Sequence, residues 1–266
     1  MLLTLLLYLV LGAAAGVVAG LFGIGGGLLI VPVLVFSFGL QGMSPDVLTH
    51  AAVATSLATI VVTSISSIRA HHKRGAVRWE IFKPLMVGIL IGAFVGVLTA
   101  DKMEGRHLQI AIGLFALAVA FQMAFGLKPK AGAEVPSNNG LAGAGGVIGW
   151  ASALFGIGGG TLTVPYLTWK QVPMQQAVAT SAACGLPIAA MGALTNIYTG
   201  WGEEGLAQWS LGYIYLPAFL GIIASSSIFA KVGAKLAHSL PADLLKKIFA
   251  VFLFLVALRF LLSNMF

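Results

Sequence analysis

Three glycines in a row do not continue a helix, and this chain carries such a run twice. The block Gly23 to Gly27 reads GIGGG, and Gly156 to Gly160 reads GIGGG again. Glycine supplies the permissive backbone of a turn, and a helix that restarts after it presents free amides and a positive dipole end, which attract anions. A second block, AVATS, occurs at Ala52 to Ser56 and at Ala177 to Ser181. It places the hydroxyl pairs Thr55 with Ser56 and Thr180 with Ser181 on two helices. Hydroxyls donate hydrogen bonds without a fixed charge, which suits an anion that must also leave. The candidate binding set is therefore Gly23, Gly25, Gly26, Gly27, Thr55, Ser56, Gly156, Gly158, Gly159, Gly160, Thr161, Thr180 and Ser181. Plainer roles stand beside these: membrane-helix glycines let backbones approach, and helical Ser and Thr bond back to their own carbonyls.

Other residues carry weaker signals. His50, near the start of its helix, could shuttle protons or attract an anion, but its repeat counterpart is Gln175, so a neutral polar role suffices. Cys184, the single cysteine, reads as a small core residue and excludes an internal disulfide. Thr195 and Asn196 either line a cavity or cross-link helices. His71 and His72 belong to a basic loop without metal-ligand company. Gly88, Gly92 and Gly96, at four-residue spacing, read as packing residues. A dinucleotide site is a poor reading of GIGGG, which lacks the third glycine of GxGxxG, a preceding strand and a following acid. Every Asp and Glu falls at a helix end or loop, so no intramembrane carboxylate pair exists for acid-base catalysis. No cofactor, metal or enzyme activity is expected.

Elements that position such breaks must be membrane helices. Of 266 residues, 59% are hydrophobic and 9% charged, where a soluble domain carries roughly a quarter charged. Stretches 47–68, 84–100, 107–127, 135–169, 171–202 and 205–230 contain no Asp, Glu, Lys or Arg, and long apolar runs mean helices and not a barrel. The formal charge of +7 lies at the ends of apolar segments, where topology explains it better than nucleic-acid binding does. The start, MLLTLLLYLVLGAAAG, has a small-residue pair at Ala13 and Ala15 but lacks the positive n-region of a signal peptide.

The chain also reads as an internal repeat. Leu21 to Pro32, LFGIGGGLLIVP, matches Leu154 to Pro165, LFGIGGGTLTVP, at ten of twelve positions and an offset of 133. Residues 1–127 and 140–266 form two homologous halves of one membrane domain, joined by a cytoplasmic linker at 128–139, KPKAGAEVPSNN. Because the second block lies deep inside the chain, the first is expected to be a retained membrane segment as well. Each half has an interrupted segment and three further helices, near 2–38, 46–68, 81–100 and 107–127, then 140–169, 174–199, 211–231 and 242–262. Loop Arg69 to Lys83 holds five basic residues against Glu80 and is expected inside the cytoplasm. A second interrupted segment that crossed once would put Glu203 and Glu204 inside. If it enters and returns as a hairpin, the acidic loop lies outside, the halves are inverted and both termini are outside. Thr161 to Trp169 rises only about 14 Å, so Gly160 falls near mid-bilayer. A break there is tolerated only when buried or lining a polar cavity.

The paired LFGIGGG and AVATS elements, with this size and duplication, resemble the TauE/SafE family of sulfite exporters across essentially the whole chain. The resemblance implies secondary transport of a small sulfur-containing anion, such as sulfite, sulfoacetate or a related organosulfonate, out across the cytoplasmic membrane. Thr161 and Thr163 replace Leu28 and Ile30, so the second break is the more polar one. The fold expected is an all-α polytopic membrane protein of two inverted-topology repeats, each a Gly-broken hairpin or re-entrant segment plus three transmembrane helices. A passive anion channel and a non-transporting assembly protein are the alternatives. The partners expected are the anion and the bilayer, with no nucleic acid, and the sequence leaves a homo-oligomer open.

Overall fold

The computed structural model describes residues 2–22, 27–125, 134–239 and 242–265. They form α1 (Leu2–Phe22), α2 (Gly27–Leu40), α3 (Pro45–His72), α4 (Trp79–Asp101), α5 (Gly105–Ala124), α6 (Asn138–Leu154), α7 (Gly160–Trp169), α8 (Met174–Thr199), β1 (Ser210–Leu211), β2 (Ile214–Tyr215), α9 (Leu216–Ser239) and α10 (Ala242–Met265). This is an all-α polytopic membrane protein. Five helices among the described residues are long and apolar enough to cross a bilayer: Pro45–Arg69, Trp79–Asp101, Gly105–Ala124, Met174–Thr199 and Lys247–Asn264. Helices α2 and α7 are shorter, at 14 and 10 residues, and each begins at the last glycine of its GIGGG block.

Two boundaries differ from expectation. Helix α3 runs on to His72, so its last turn carries Arg69, His71 and His72 beyond the apolar stretch. Helix α9 starts at Leu216 and not near 211, because Gly212, at a φ of +53°, turns the chain into a two-residue antiparallel hairpin pairing Ser210 with Tyr215. A side chain at Gly212 would also meet the Ile197 backbone. The described end of the linker, Glu134 to Ser137, leads into α6 one residue before Asn139.

The core sits on α3 and α8. Inside the protein lie 61% and 67% of their apolar windows, against 44%, 33% and 28% for α4, α5 and α10, so α3 and α8 are central and the others face lipid. Leu57 contacts Gly192 and Ser64 contacts Gly185, so these two central helices run antiparallel. Helices α5 and α10 are antiparallel too: Gln109 accepts a hydrogen bond from Asn264, and Gly113 lies against Ala257 and Phe260.

The first helix of each half packs on the fourth helix of the other. Gly88, Gly92 and Gly96 of α4 lie against the backbone of Ala142, Gly146 and Trp150 on α6. Rising numbers on both helices make the pair parallel, and a Cβ at any of the three would collide with backbone. Helix α1 lies on α9 in the same sense, with Gly12 against Ile222 and Gly16 against Ser226. Lipid supplies little hydrophobic drive between helices, so such close backbone contact provides van der Waals attraction instead. The expected packing role of Gly88, Gly92 and Gly96 matches this geometry.

Acidic residues gather at one end of the bundle. Gly205 packs on Ser44, Gly105 on Pro45, and the Tyr213 hydroxyl donates to Asp101, which brings Asp46, Asp101, Glu104, Glu203 and Glu204, with Lys102 and Arg106 among them, to the N-terminal end of α3. Arg69, Lys73, Arg74 and Arg78 lie at its other end. At 28 residues, α3 separates the two groups by about 42 Å.

Candidate functional site

The second break is built from its glycines outward. Helix α6 ends at Leu154, the Ile157 N–H reaches back to the Ser152 carbonyl at 2.9 Å, and Gly156 takes a φ of +66°. Only glycine adopts that conformation without strain. A Cβ on Gly156 would also lie 2.8 Å from Val31 Cγ2 of α2 and 3.0 Å from Val53 Cα of α3. The chain restarts at Gly159, whose carbonyl accepts the Thr163 N–H at 2.8 Å, closing the first turn of α7. A Cβ on Gly159 would sit 2.8 Å from the Ser181 carbonyl oxygen, so this glycine lets the start of α7 lie directly on α8. Gly158 and Gly160 are buried beside it.

The start of α2 meets this break. Gly27, the first residue of α2, is buried, and a Cβ there would stand 2.8 Å from the Gly156 carbonyl oxygen and 3.0 Å from Ile157 Cα. Gly23, Gly25 and Gly26 lie outside the described residues. The start of α2 thus touches the break that precedes α7, against the centre of α3.

The paired hydroxyls divide into different duties. The Thr180 oxygen accepts the backbone N–H of Arg78, the residue before α4, and the Thr55 oxygen accepts the N–H of Tyr215, the residue before α9, each at 3.0 Å. Both threonines are fully buried. Each therefore holds the residue that leads into the fourth helix of the opposite half, a tie across the halves and not a bond to its own helix. Ser56 donates to the Gly156 carbonyl at 2.8 Å. Ser181, its counterpart, is fully buried, and its hydroxyl has no hydrogen-bond partner among the described residues.

Ser181 is not alone. Ser152, Thr161 and Thr163 also hold buried hydroxyl oxygens without a partner among the described residues. They lie on the last turn of α6 and the first turn of α7, while Ser181 lies on the stretch of α8 against Gly159. Buried hydroxyls are ordinarily bonded; these four lie on the elements that meet at the start of α7, and Thr199, Ser210 and Ser226 are unpaired elsewhere among the described residues. In the sequence Thr163 stands out only as a polar replacement for Ile30, and Ser152 does not stand out at all, because its repeat counterpart is Ala19 and not a second hydroxyl.

Other expectations resolve locally. Thr195 and Asn196 bond back to the carbonyls of Met191 and Gly192, each at 2.8 Å. Cys184 is fully buried. His50 is buried with Nδ1 3.1 Å from the Asp46 carbonyl and Nε2 3.0 Å from that of Ala100, stacked on Tyr213. Gln175 is exposed, so the two repeat counterparts do not share an environment. Tyr213 itself is pushed up from the ordinary phenol range, first by burial and then by the charges of Asp101 and Glu203, which keeps it a donor. His72 lies edge-on to Trp79. No group of three metal-ligating side chains occurs among the described residues.

A family model described as "Sulfite exporter TauE/SafE" matches residues 8–260. A probable membrane transporter protein of Haemophilus influenzae is 40% identical, covering 97% of this chain and 98% of its own. One from Methanocaldococcus jannaschii is 32% identical over 88% of each chain. The probable membrane transporter protein YunE of Bacillus subtilis is 24% identical over 99% of this chain and all of its own. No solved structure matches the chain.

Proposed function

The chain belongs to the sulfite exporter TauE/SafE family of membrane transporters, and from that premise we propose that it exports a small sulfur-containing anion, binding it between the two glycine breaks. Sulfite, sulfoacetate and related organosulfonates share a compact, oxygen-rich negative head that needs several hydrogen-bond donors and no cofactor. The observation that carries the reading is the set of unpartnered hydroxyls of Ser152, Thr161, Thr163 and Ser181 around the start of α7. Free amides and the dipole of α7 add positive potential at the same place. Donors without fixed charge hold an anion firmly enough to select it and loosely enough to release it.

An inverted pair of halves gives such a site two routes of access. The antiparallel pairs α3 with α8 and α5 with α10, and the separation of acidic and basic loops, support opposite membrane orientations for corresponding helices. In that arrangement the basic loops face the cytoplasm and both termini face outward. Alternating access is then a rocking of one half on the other about the contact between Gly27 and Gly156, with the anion exposed first to one side and then to the other.

Purified protein in liposomes, loaded with radiolabelled sulfite and diluted into sulfite-free buffer with and without a pH gradient, tests this directly. Saturable efflux, slowed by unlabelled sulfoacetate, is the expected result. Conductance at rates beyond an alternating carrier would favour the passive channel, and no flux of any sulfur anion would leave an assembly role.

A further inference from the structure

A second place in the fold has the makings of a binding site, on the lipid-facing side and away from the breaks. Arg259 lies on α10, five residues before Asn264 and inside the apolar stretch Lys247–Asn264. Its backbone is thus about 7.5 Å within the end of the span. The guanidinium stands 5.0 Å from the centre of the Phe36 ring on α2. The ion pairs among the described residues are Arg78 with Glu80 and His107 with Glu104, so Arg259 has no carboxylate partner there. It borders a cleft of about 570 Å³ between α2 and α10, closed below by Leu48 of α3 and Gln109 of α5.

An arginine this close to the end of a span extends its guanidinium toward the interface, where anionic headgroups are its natural partners. The cleft specifies the ligand further. Its polar lining, Arg259 with Gln109 and Ser263, is at the end where α10 finishes, and the rest is apolar, with Val33, Phe252 and Val256 along the walls. A small hydrated anion gains nothing from apolar walls, whereas an acyl chain lying along them gains close van der Waals contact, the attraction that operates inside a bilayer. The depth suits a lipid as well, because an arginine just inside the end of a span reaches the phosphate level.

We propose that this cleft binds one anionic phospholipid, its phosphate on Arg259 with Gln109 and Ser263 beside it, and one acyl chain lying along Val33, Phe252 and Val256. The lipid comes from the leaflet at the acidic end of α3, and it would bridge α2, which starts at Gly27 against Gly156, to α10.

The test is native mass spectrometry of the full-length protein released from nanodiscs of phosphatidylcholine containing a minor fraction of phosphatidylglycerol. Wild type should retain phosphatidylglycerol in preference to phosphatidylcholine. Arg259→Gln should lower that retention roughly tenfold, the size of a lost charge-assisted hydrogen bond. Val256→Trp keeps the cation but fills the chain slot, and it should lower retention too; it decides the question if Arg259→Gln does not fold. Inorganic phosphate added before release should displace none of the lipid. Retention by Arg259→Gln or by Val256→Trp equal to wild type overturns the proposal. Displacement by phosphate overturns it in favour of a free-anion site.

Discussion

The Ser56 hydroxyl donates to the carbonyl oxygen of Gly156, 100 residues further along the chain, at 2.8 Å. The AVATS helix of one half thereby holds the glycine break of the other. Removing the donor with Ser56→Ala leaves a buried carbonyl unpaired, which costs about 1 to 3 kcal/mol. The expected outcome is a lower melting temperature in detergent together with slower sulfite efflux. An unchanged melting temperature would mean that the break is held by its packing alone.

The glycines at the meeting point are less forgiving. Gly156→Ala combines a left-handed φ with a methyl 2.8 Å from Val31 Cγ2 and 3.0 Å from Val53 Cα. Gly27→Ala puts a methyl 2.8 Å from the Gly156 oxygen. Overpacking of this kind costs about 1 to 3 kcal/mol each, and it acts at the contact about which the proposed rocking turns. Both variants should lose transport by more than they lose folded protein. Gly143→Ala, where a Cβ meets nothing within 4 Å, is the control and should match wild type in both.

Topology gives a prediction independent of substrate. Residues at the basic end of α3 and at the acidic end should be labelled from opposite sides of the membrane. Arg74 and Glu203 are the positions to use, since both are exposed, while the adjacent Gly75 and Gly202 hold φ of +63° and +83° and would strain any replacement. In a Cys184→Ala background, an impermeant maleimide applied to cells should reach Glu203→Cys and not Arg74→Cys. Labelling of both from one side defeats the inverted arrangement.

The helices were legible in the sequence because charge-free runs long enough to span a bilayer admit little else, and the break before α7 because three glycines cannot continue a helix. The hairpin before α9 was not, since Ser210 to Tyr215 is too short for periodicity to register and its geometry rests on Gly212 and on Trp209 at a φ of +71°. Duplication drew attention to Thr55 and Thr180 but could not reveal their partners, which are backbone amides 160 and 102 residues away. A repeat identifies positions under the same constraint; it does not distinguish a constraint of binding from one of assembly.

That distinction can be measured at the threonines. Thr180→Val removes the acceptor for the Arg78 amide, and Thr55→Val the acceptor for that of Tyr215. Each should cost about 1 to 3 kcal/mol of stability, seen as a lower melting temperature, while Thr→Ser keeps the oxygen and should restore it. A Thr→Val protein that melts normally but transports poorly would return these hydroxyls to the anion.

Ser181 should behave in the opposite way to its neighbour. Its hydroxyl, like those of Thr161 and Thr163, is buried with no partner among the described residues, so it already bears the cost of desolvation without a compensating bond. Removing it with Ser181→Ala, or removing the others with Thr161→Val and Thr163→Val, takes away that cost, and the melting temperature should hold or rise. If the anion supplies the missing acceptor, each variant loses a hydrogen bond to a charged group, and efflux should fall roughly 5- to 150-fold. Added sulfite should stabilise wild type against heat by mass action and stabilise the triple variant much less. The contrast between Thr180 and Ser181, adjacent on one helix, separates a tie that holds the halves from a donor that holds the cargo. A triple variant that melts like wild type and still transports at the wild-type rate would remove the start of α7 from the binding site.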